Sequence, residues 1–268
     1  MATTEADAPH SLATVRRLEA AGFRAWPASE TAYDGTWAIR LTPGFDAKRL
    51  NSVNPLDQGD RRDIAARVER ARERFEAVGR PILFRQSPLA PPELVDHLDA
   101  EGWSRFGESL VLTADLTRID LSGTLDRIPI RDLGRYVDAS LAVHGRDEAM
   151  RQGLLDILGA IRPPAGFFVR ENPEGVPVAV AMAIQDNDLA GILDLAVAPD
   201  LRRQGLGRDL VATALRFAMH RGARTGWLQV EAANTAGIAL YDRLGFVEAY
   251  RYVYRAPPEA AQPPAMLR

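Results

Sequence analysis

The sequence predicts an α/β protein made of two halves, each a mixed, largely antiparallel twisted sheet flanked by helices. Three observations predict this. The run Val176–Ile184 alternates, with Val176, Val178, Val180, Met182 and Ile184 on one face and Ala179, Ala181 and Ala183 on the other. A period of two with one bulky and one small apolar face describes a strand covered on both sides. Further on, Leu206, Leu210, Ala214 and Ala218 recur every four residues with Val211 and Leu215 beside them, which describes an amphipathic helix. Finally, Leu98-Asp99-Ala100-Glu101-Gly102-Trp103 and Tyr241-Asp242-Arg243-Leu244-Gly245-Phe246 share one plan. Each is a short helix closed by Gly plus an aromatic residue and followed by a strand, as a duplicated unit would be.

The bulk numbers agree with a globular chain. Of 268 residues, 46% are hydrophobic and 26% charged, enough to build a core in each half. The formal net charge of −3 gives no sign of a nucleic-acid or anionic-membrane partner. No cysteine is present, which removes disulfides, thiolate metal sites and a cysteine nucleophile at once. No apolar run approaches membrane-spanning length, and Met1–His10 lacks a signal-peptide core, so a cytoplasmic place is expected.

The elements follow in order. Met1–Pro9 is polar and small and is expected to be loose. Ile64, Val68, Ala71, Phe75 and Val78 mark a helix face; Pro81–Gln86 reads as a strand, Pro92–Ala100 as a helix and Glu108–Thr113 as a strand. The seam lies near Thr117–Asp126, giving domains 1–120 and 121–256 and a proline-rich disordered tail at 257–268. In the second half, Asp132–His144 and Asp147–Ile161 have helical periodicity and Gly166–Arg170 is a strand. Asn172-Pro173-Glu174-Gly175 is a turn, and Ile192–Val197 follows as a strand. After the Leu206 helix, closed by Gly222, come the strand Trp227–Glu231, the helix Thr235–Arg243 and the strand Phe246–Arg255, with Tyr250, Tyr252 and Tyr254 on one face.

The segment between Val197 and the Leu206 helix carries the chemistry. Val197-Ala198-Pro199-Asp200 ends a strand, and Arg202-Arg203-Gln204-Gly205-Leu206-Gly207 opens the helix directly. A helix start offers unpaired N–H groups and the positive end of the dipole, and so binds anions. Gly205 and Gly207 permit close approach, while Arg202, Arg203 and Arg208 add charge suited to a diphosphate. An ordinary glycine turn is the plain alternative. A Rossmann fingerprint would want a small residue where Leu210 stands, and no Walker Gly-Lys-Ser/Thr follows. Two elements on, Asn234 and Tyr241 lie seven residues apart and so share a helix face. By themselves they also suit an N-cap and a half-buried packing residue.

Leu193-Asp194-Leu195-Ala196-Val197-Ala198-Pro199-Asp200, continuing through Arg208, resembles the signature of the GNAT superfamily of N-acetyltransferases. Arg202, Gly205 and Gly207 match its Arg/Gln-x-x-Gly-x-Gly/Ala consensus. The resemblance continues through Asn234 and Ala239–Phe246 and covers 132–255. The first half resembles the degenerate GNAT-like half of tandem members through Ala25-Trp26-Pro27 and Asn51-Ser52-Val53-Asn54-Pro55-Leu56. The resemblance implies an N-acyltransferase that moves an acetyl or other acyl group from acyl-CoA to a primary amine by direct attack in a ternary complex. It implies that backbone groups of Leu195, Ala196 and Val197 hold the acyl group, that Arg202–Arg208 hold the pyrophosphate, that Asn234 bonds the pantetheine or phosphate region, and that Tyr241 protonates the leaving thiolate.

A protonated amine cannot attack, so a proton acceptor is required. Asp194, expected to share a face with Ile192 and Ala196, and Glu231, at the end of the neighbouring strand, are the candidates, with water as the alternative. His144 reads as a helix cap, and no His/Asp/Glu cluster has metal-ligand spacing. The first half's counterpart of the phosphate loop, Asp57-Gln58-Gly59-Asp60-Arg61-Arg62, has one glycine and two aspartates, so this half is not expected to bind acyl-CoA. A monomer with pseudo-dimeric halves or a homodimer is expected. The acceptor is open among small-molecule and peptide amines. An acyl-CoA sensor without catalysis would need the same loop but not Tyr241.

Overall fold

A computed structural model describes residues 11–258; the loose end expected at Met1–Pro9 and residues 259–268 of the tail expected at 257–268 lie outside the described residues, while Pro257, at the start of that tail, is buried. The first half runs α1 (Leu12–Ala25), β1 (Glu30–Asp34), β2 (Trp37–Leu41), β3 (Ser52–Pro55), α2 (Ile64–Glu76), β4 (Phe84–Gln86), α3 (Pro92–Ala100) and β5 (Ser104–Asp115). The second runs α4 (Leu133–His144), α5 (Arg151–Gly159), β6 (Ala165–Glu171), β7 (Pro177–Asp186), β8 (Leu189–Val197), α6 (Leu206–Met219), β9 (Thr225–Glu231), α7 (Thr235–Asp242) and β10 (Val247–Ala256). Among the described residues no helix is long and apolar enough to cross a membrane.

The mixed α/β architecture is as expected, with one difference: the strands form a single ten-stranded sheet rather than two. Its order is β1-β2-β3-β4-β10-β5-β9-β8-β7-β6. Every pair is antiparallel except β3–β4 and β8–β9. Read from either end, the order gives the same sequence of pairings. Each half's last strand is exchanged: β5 pairs with β9 of the second half, and β10 pairs with β4 of the first. The two exchanged strands pair with each other at the centre.

The repeated Gly-aromatic plan has a physical counterpart. Gly102 and Gly245 both take left-handed φ values, +72° and +83°. Trp103 N donates to Leu98 O at 2.9 Å and Phe246 N to Tyr241 O at 3.0 Å, the same helix-ending bond five residues back. Both aromatics are buried and turn the chain into an exchanged strand.

The two faces of β7 divide the core as its alternation predicts. Val180, Met182 and Ile184 pack with Tyr136, Val137 and Leu141 of α4 and with Val15 and Leu18 of α1. Ala179, Ala181 and Ala183 pack with Leu210, Val211, Ala214 and Leu215 of α6. Small side chains on that face let α6 lie close to the sheet. Thr213 of α6 is also buried, its hydroxyl donating to Leu125 O at 3.3 Å under the loop that joins the halves.

Candidate active site

The parallel pair β8–β9 is joined only from Leu189↔Thr225 to Ile192↔Leu228. Beyond that the strands part, and neither continues its ladder with the other. Leu193–Val197 therefore present backbone groups toward a gap with no strand on that side, and such groups need partners. The gap opens into a cleft of about 550 Å³ lined by Leu193, Asp194, Leu195, Gln229, Glu231, Asn234 and Tyr241, among others. Its opposite wall comes from the first half (Trp26, Phe45, Lys48, Arg49) and from Tyr252 and Tyr254 of β10.

A β-bulge sets the fork. Val180 faces Ala196 and Met182 faces Leu193, so Asp194 and Leu195 together oppose Ala181. Asp194 takes the extra position with φ +52°, unusual for a residue other than glycine. The bulge breaks the alternation expected from the sequence. Leu193 packs with the α4 core and Ile192 with the α6 core, while Asp194 turns toward α4, away from the face of Ile192.

Four side chains hold Asp194 there. Tyr136 Oη donates at 3.0 Å and Ser140 Oγ at 2.6 Å; Arg146 Nη1 lies at 3.2 Å. His144 Nε2 is 3.0 Å from Oδ1, a close contact but not an aligned hydrogen bond. Burial works against the Asp194 charge. The neighbouring His144, Arg146 and Ser140 outweigh it and hold the carboxyl well below the usual carboxylate range. His144, read from the sequence as a cap, thus belongs to this network, and Gly145 at φ +65° ends the helix.

The loop Arg202–Arg208 leaves the end of β8. A 3-10 turn, Pro199–Leu201, precedes it, and Arg202 Nε donates back to Val197 O at 3.1 Å. Gly205 is the helix N-cap residue at φ +86°, and no side chain caps α6. The first-turn amides of α6 are thus left for an external acceptor. A Cβ on Gly205 would meet nothing within 4 Å, so the open side is kept by the backbone and not by crowding. A Cβ on Gly207 would touch Val197 and Leu240 at ordinary distances, which sets the loop against both β8 and α7. Arg202, Arg203, Gln204, Gly205 and Arg208 are exposed.

Asn234 is the N-cap of α7, its Oδ1 accepting from Gly237 N at 2.9 Å, and it also lines the cleft. Tyr241 follows two turns later, 8% exposed and facing the same cleft. Burial pushes its phenol up to about 12, so it stays protonated at neutral pH. Glu231 contacts Lys48 Nζ at 3.2 Å, a link between the halves across the cleft.

Residues 12–255 match the family model described as "Probable histone acetyltransferase Rv0428c C-terminal". The chain belongs to this family of GNAT N-acetyltransferases. Over 247 residues it is 25% identical to the uncharacterized N-acetyltransferase YobR of Bacillus subtilis (90% of this chain, 98% of that one). A GCN5-related N-acetyltransferase from Kribbella flavida shares the fold at TM-score 0.66 and 20% identity, covering 91% of this chain and 95% of that one. A tandem GNAT protein from the clavulanic acid biosynthesis pathway does so at TM-score 0.58 and 18% identity, covering 89% and 86%.

In this GNAT chain one cleft brings together Asp194, Leu195, Glu231, Asn234 and Tyr241, whereas Ala196, Val197 and the loop Arg202–Arg208 lie outside its lining, where β8 exits. The sequence reading did not include Tyr136, Ser140 and Arg146. The first two and His144 are four residues apart on α4, a polar row on an otherwise buried face, and that spacing was the available signal. Lys48 and Arg49 carry no such signal, since they reach the cleft only through the packing of the two halves. The loop Asp57–Arg62 is engaged internally: Asp57 pairs with Arg16 at 3.2 Å, and Asp60 accepts from Thr36 and Arg67.

Proposed function

We propose that this chain transfers an acyl group, acetyl in the first instance, from acyl-coenzyme A to a primary amine by direct attack in a ternary complex. The observation that carries this is the fork of β8 and β9, which exposes the backbone of Leu195–Val197 beside the uncapped start of α6. A thioester carbonyl and pantetheine arm need backbone partners of that kind, and a pyrophosphate needs the amides of Leu206, Gly207 and Arg208, with Arg202, Arg203, Gln204 and Gly205 around it. The amide nitrogen of Asn234 is suited to the pantetheine or phosphate region while its oxygen caps α7.

The amine nitrogen attacks the thioester carbon, the C–S bond breaks, and Tyr241 gives its proton to the departing thiolate. Tyr241 is a strong enough acid for this only because the same dry surroundings raise the basicity of the thiolate. The amine's proton leaves through Glu231 or water. Asp194, a candidate base in the sequence, is assigned a different role. Its carboxylate is enclosed by three donors, with His144 beside it, and is too acidic to accept a proton from an ammonium, so it positions the bulge. Residues 121–256 carry the transferase site, and 1–120 complete the acceptor side through Lys48 and Arg49. Cytoplasmic placement fits acyl-CoA as co-substrate.

The test is a thiol-release assay of several acyl-CoAs against a panel of amines, with acetyl-CoA affinity measured in parallel. Amine-dependent release is expected. Tight acetyl-CoA binding with no release for any amine would replace the transferase with a sensor.

A further inference from the structure

Three arginine or lysine side chains line the cleft, and two of them have carboxylate partners: Lys48 with Glu231, and Arg146 with Asp194. The carboxylate of Asp46, also in the lining, is taken by Arg80 at 2.9 Å. Arg49 is the exception. Among the described residues no carboxylate lies within ion-pair distance of it, and its guanidinium meets only the amide oxygen of Gln229, at 3.3 Å.

Behind Arg49 lies a small cavity of about 10 Å³, room for a single water-sized group, which shares Arg49, Gln229, Leu193 and Trp26 with the cleft. Arg40 and Arg85 line it, each 3% exposed. One carboxylate, Glu19, faces three guanidiniums, and Glu19 already accepts from Tyr250 Oη at 2.5 Å as well as from Arg85. Arg40 is bonded to two carbonyls, those of Arg49 and Trp26, and to no acid. Arg85 Nε and Nη2 and Trp227 Nε1 are buried donors without an acceptor. Burial first, and then the nearby Arg85, lower Arg40 to about 9, whereas against burial Glu19 and the surrounding tyrosines hold Arg85 above its ordinary value, so Arg40 is the cation left without a compensating acid. Excess buried charge and unmet donors both call for an anion. Water would satisfy the donors but not the charge.

We propose that the acceptor amine also carries a carboxylate, held by Arg49 at the apex of the strand fork with Arg40 and Arg85 behind it. This rests on the acyl-transfer reading and names its substrate class. Arg49 meets β9 at Gln229, the first residue past the last paired position, Ile192↔Leu228. The carboxylate is thus bound next to the place where the acyl carbon lies, and a few bonds separate it from the amine. Free amino acids have that geometry. A guanidinium grips a carboxylate through two parallel N–H groups, which an ester or amide cannot match.

The direct test is calorimetry on the CoA-loaded full chain with N-acetyl amino acids, the products of such a reaction, against the corresponding N-acetyl amino acid amides. The acids are expected to bind at least about tenfold more tightly. Arg49→Gln should erase that gap and leave CoA affinity unchanged, and Arg49→Lys should restore part of it. Amides binding as well as acids, or no acid binding at all, would overturn the proposal. The two readings fail differently. Thiol release that is as fast with amino acid amides as with amino acids removes the carboxylate site and keeps acyl transfer. Acid-selective binding without thiol release from any amine removes acyl transfer and keeps the site.

Discussion

Asp194 and Tyr241 are both buried ionisable groups beside one cleft, and their surroundings push them in opposite directions. Tyr241 has burial alone acting on it, so its neutral form persists to about 12. Tyr241→Phe is expected to lower kcat about 100-fold while changing acetyl-CoA affinity less than about twofold, as loss of a general acid should. Because the proton is lost only as pH rises through about 12, the wild-type kcat profile should show no descending limb from this group up to about pH 10. A limb near the ordinary phenol value that disappears in Tyr241→Phe would mean that burial does not hold the phenol protonated. Asp194 is the reverse case. Its folded carboxyl is more acidic than its unfolded one, so its contribution to stability is complete above the unfolded value of about 3.9 and is lost as pH falls below it. Asp194→Asn keeps the shape but leaves Arg146 without its anion, a change that costs about 3–5 kcal/mol. Urea unfolding should show that loss at neutral pH and a flatter acid limb in the variant; an unchanged midpoint would mean that the network does not hold the bulge.

At the scale of elements, legibility followed how local the cause was. Helix α6 and strand β7 could be read directly, because each face is set by residues three or four, or two, apart. The left-handed cap at Gly245 was legible for the same reason. Helix α1 was not: its buried stripe of Val15, Leu18, Ala21 and Ala25 is thin and half alanine, although Ser11 caps it by accepting from Thr14 N at 3.3 Å. The fork was not legible either. It depends on where β8 stops pairing with β9, and those strands are separated by a whole helix. The loop proposed to hold the pyrophosphate was legible as composition, and the structure adds that α6 starts on an uncapped left-handed glycine. Gly205→Val should cost about 1–2 kcal/mol of stability from its φ of +86° and should also raise the acetyl-CoA Kd at least about tenfold. Gly222→Val is the matched control, with φ +96° at the other end of the same helix and equally open surroundings. It should show the strain without the loss of affinity. Equal affinities in the two variants would place the pyrophosphate elsewhere.

For the whole molecule, the decisive fact is that neither half completes its own sheet. The sequence pointed to two halves of one plan but not to the exchange, because hydrophobic alternation says that a strand is buried and not which neighbour it has. The packing shows why the exchanged arrangement is the one adopted. Leu110, Leu112 and Ala114 of β5 lie in the core built by α6 and α7 of the other half. Arg255 at the end of β10 is fully buried, donates to Gln86 Oε1 and Trp103 O, each at 3.0 Å, and pairs with Asp99 at the end of α3. Each closing strand is thus fitted to the partner half's side chains, and a half alone would have to bury them against its own. Residues 1–120 and 121–268 expressed apart are therefore expected to lack cooperative thermal unfolding. Each would leave a central strand edge, β4 or β9, without its neighbour. Mixed or co-expressed, the two pieces should assemble one to one and recover both the unfolding transition and acetyl-CoA binding, since the loop, the fork and Tyr241 all belong to the second piece while β5 supports β9 from the first. A second piece that folds cooperatively as a monomer and binds acetyl-CoA unaided would show that β10 can close its own sheet and that the exchange is dispensable.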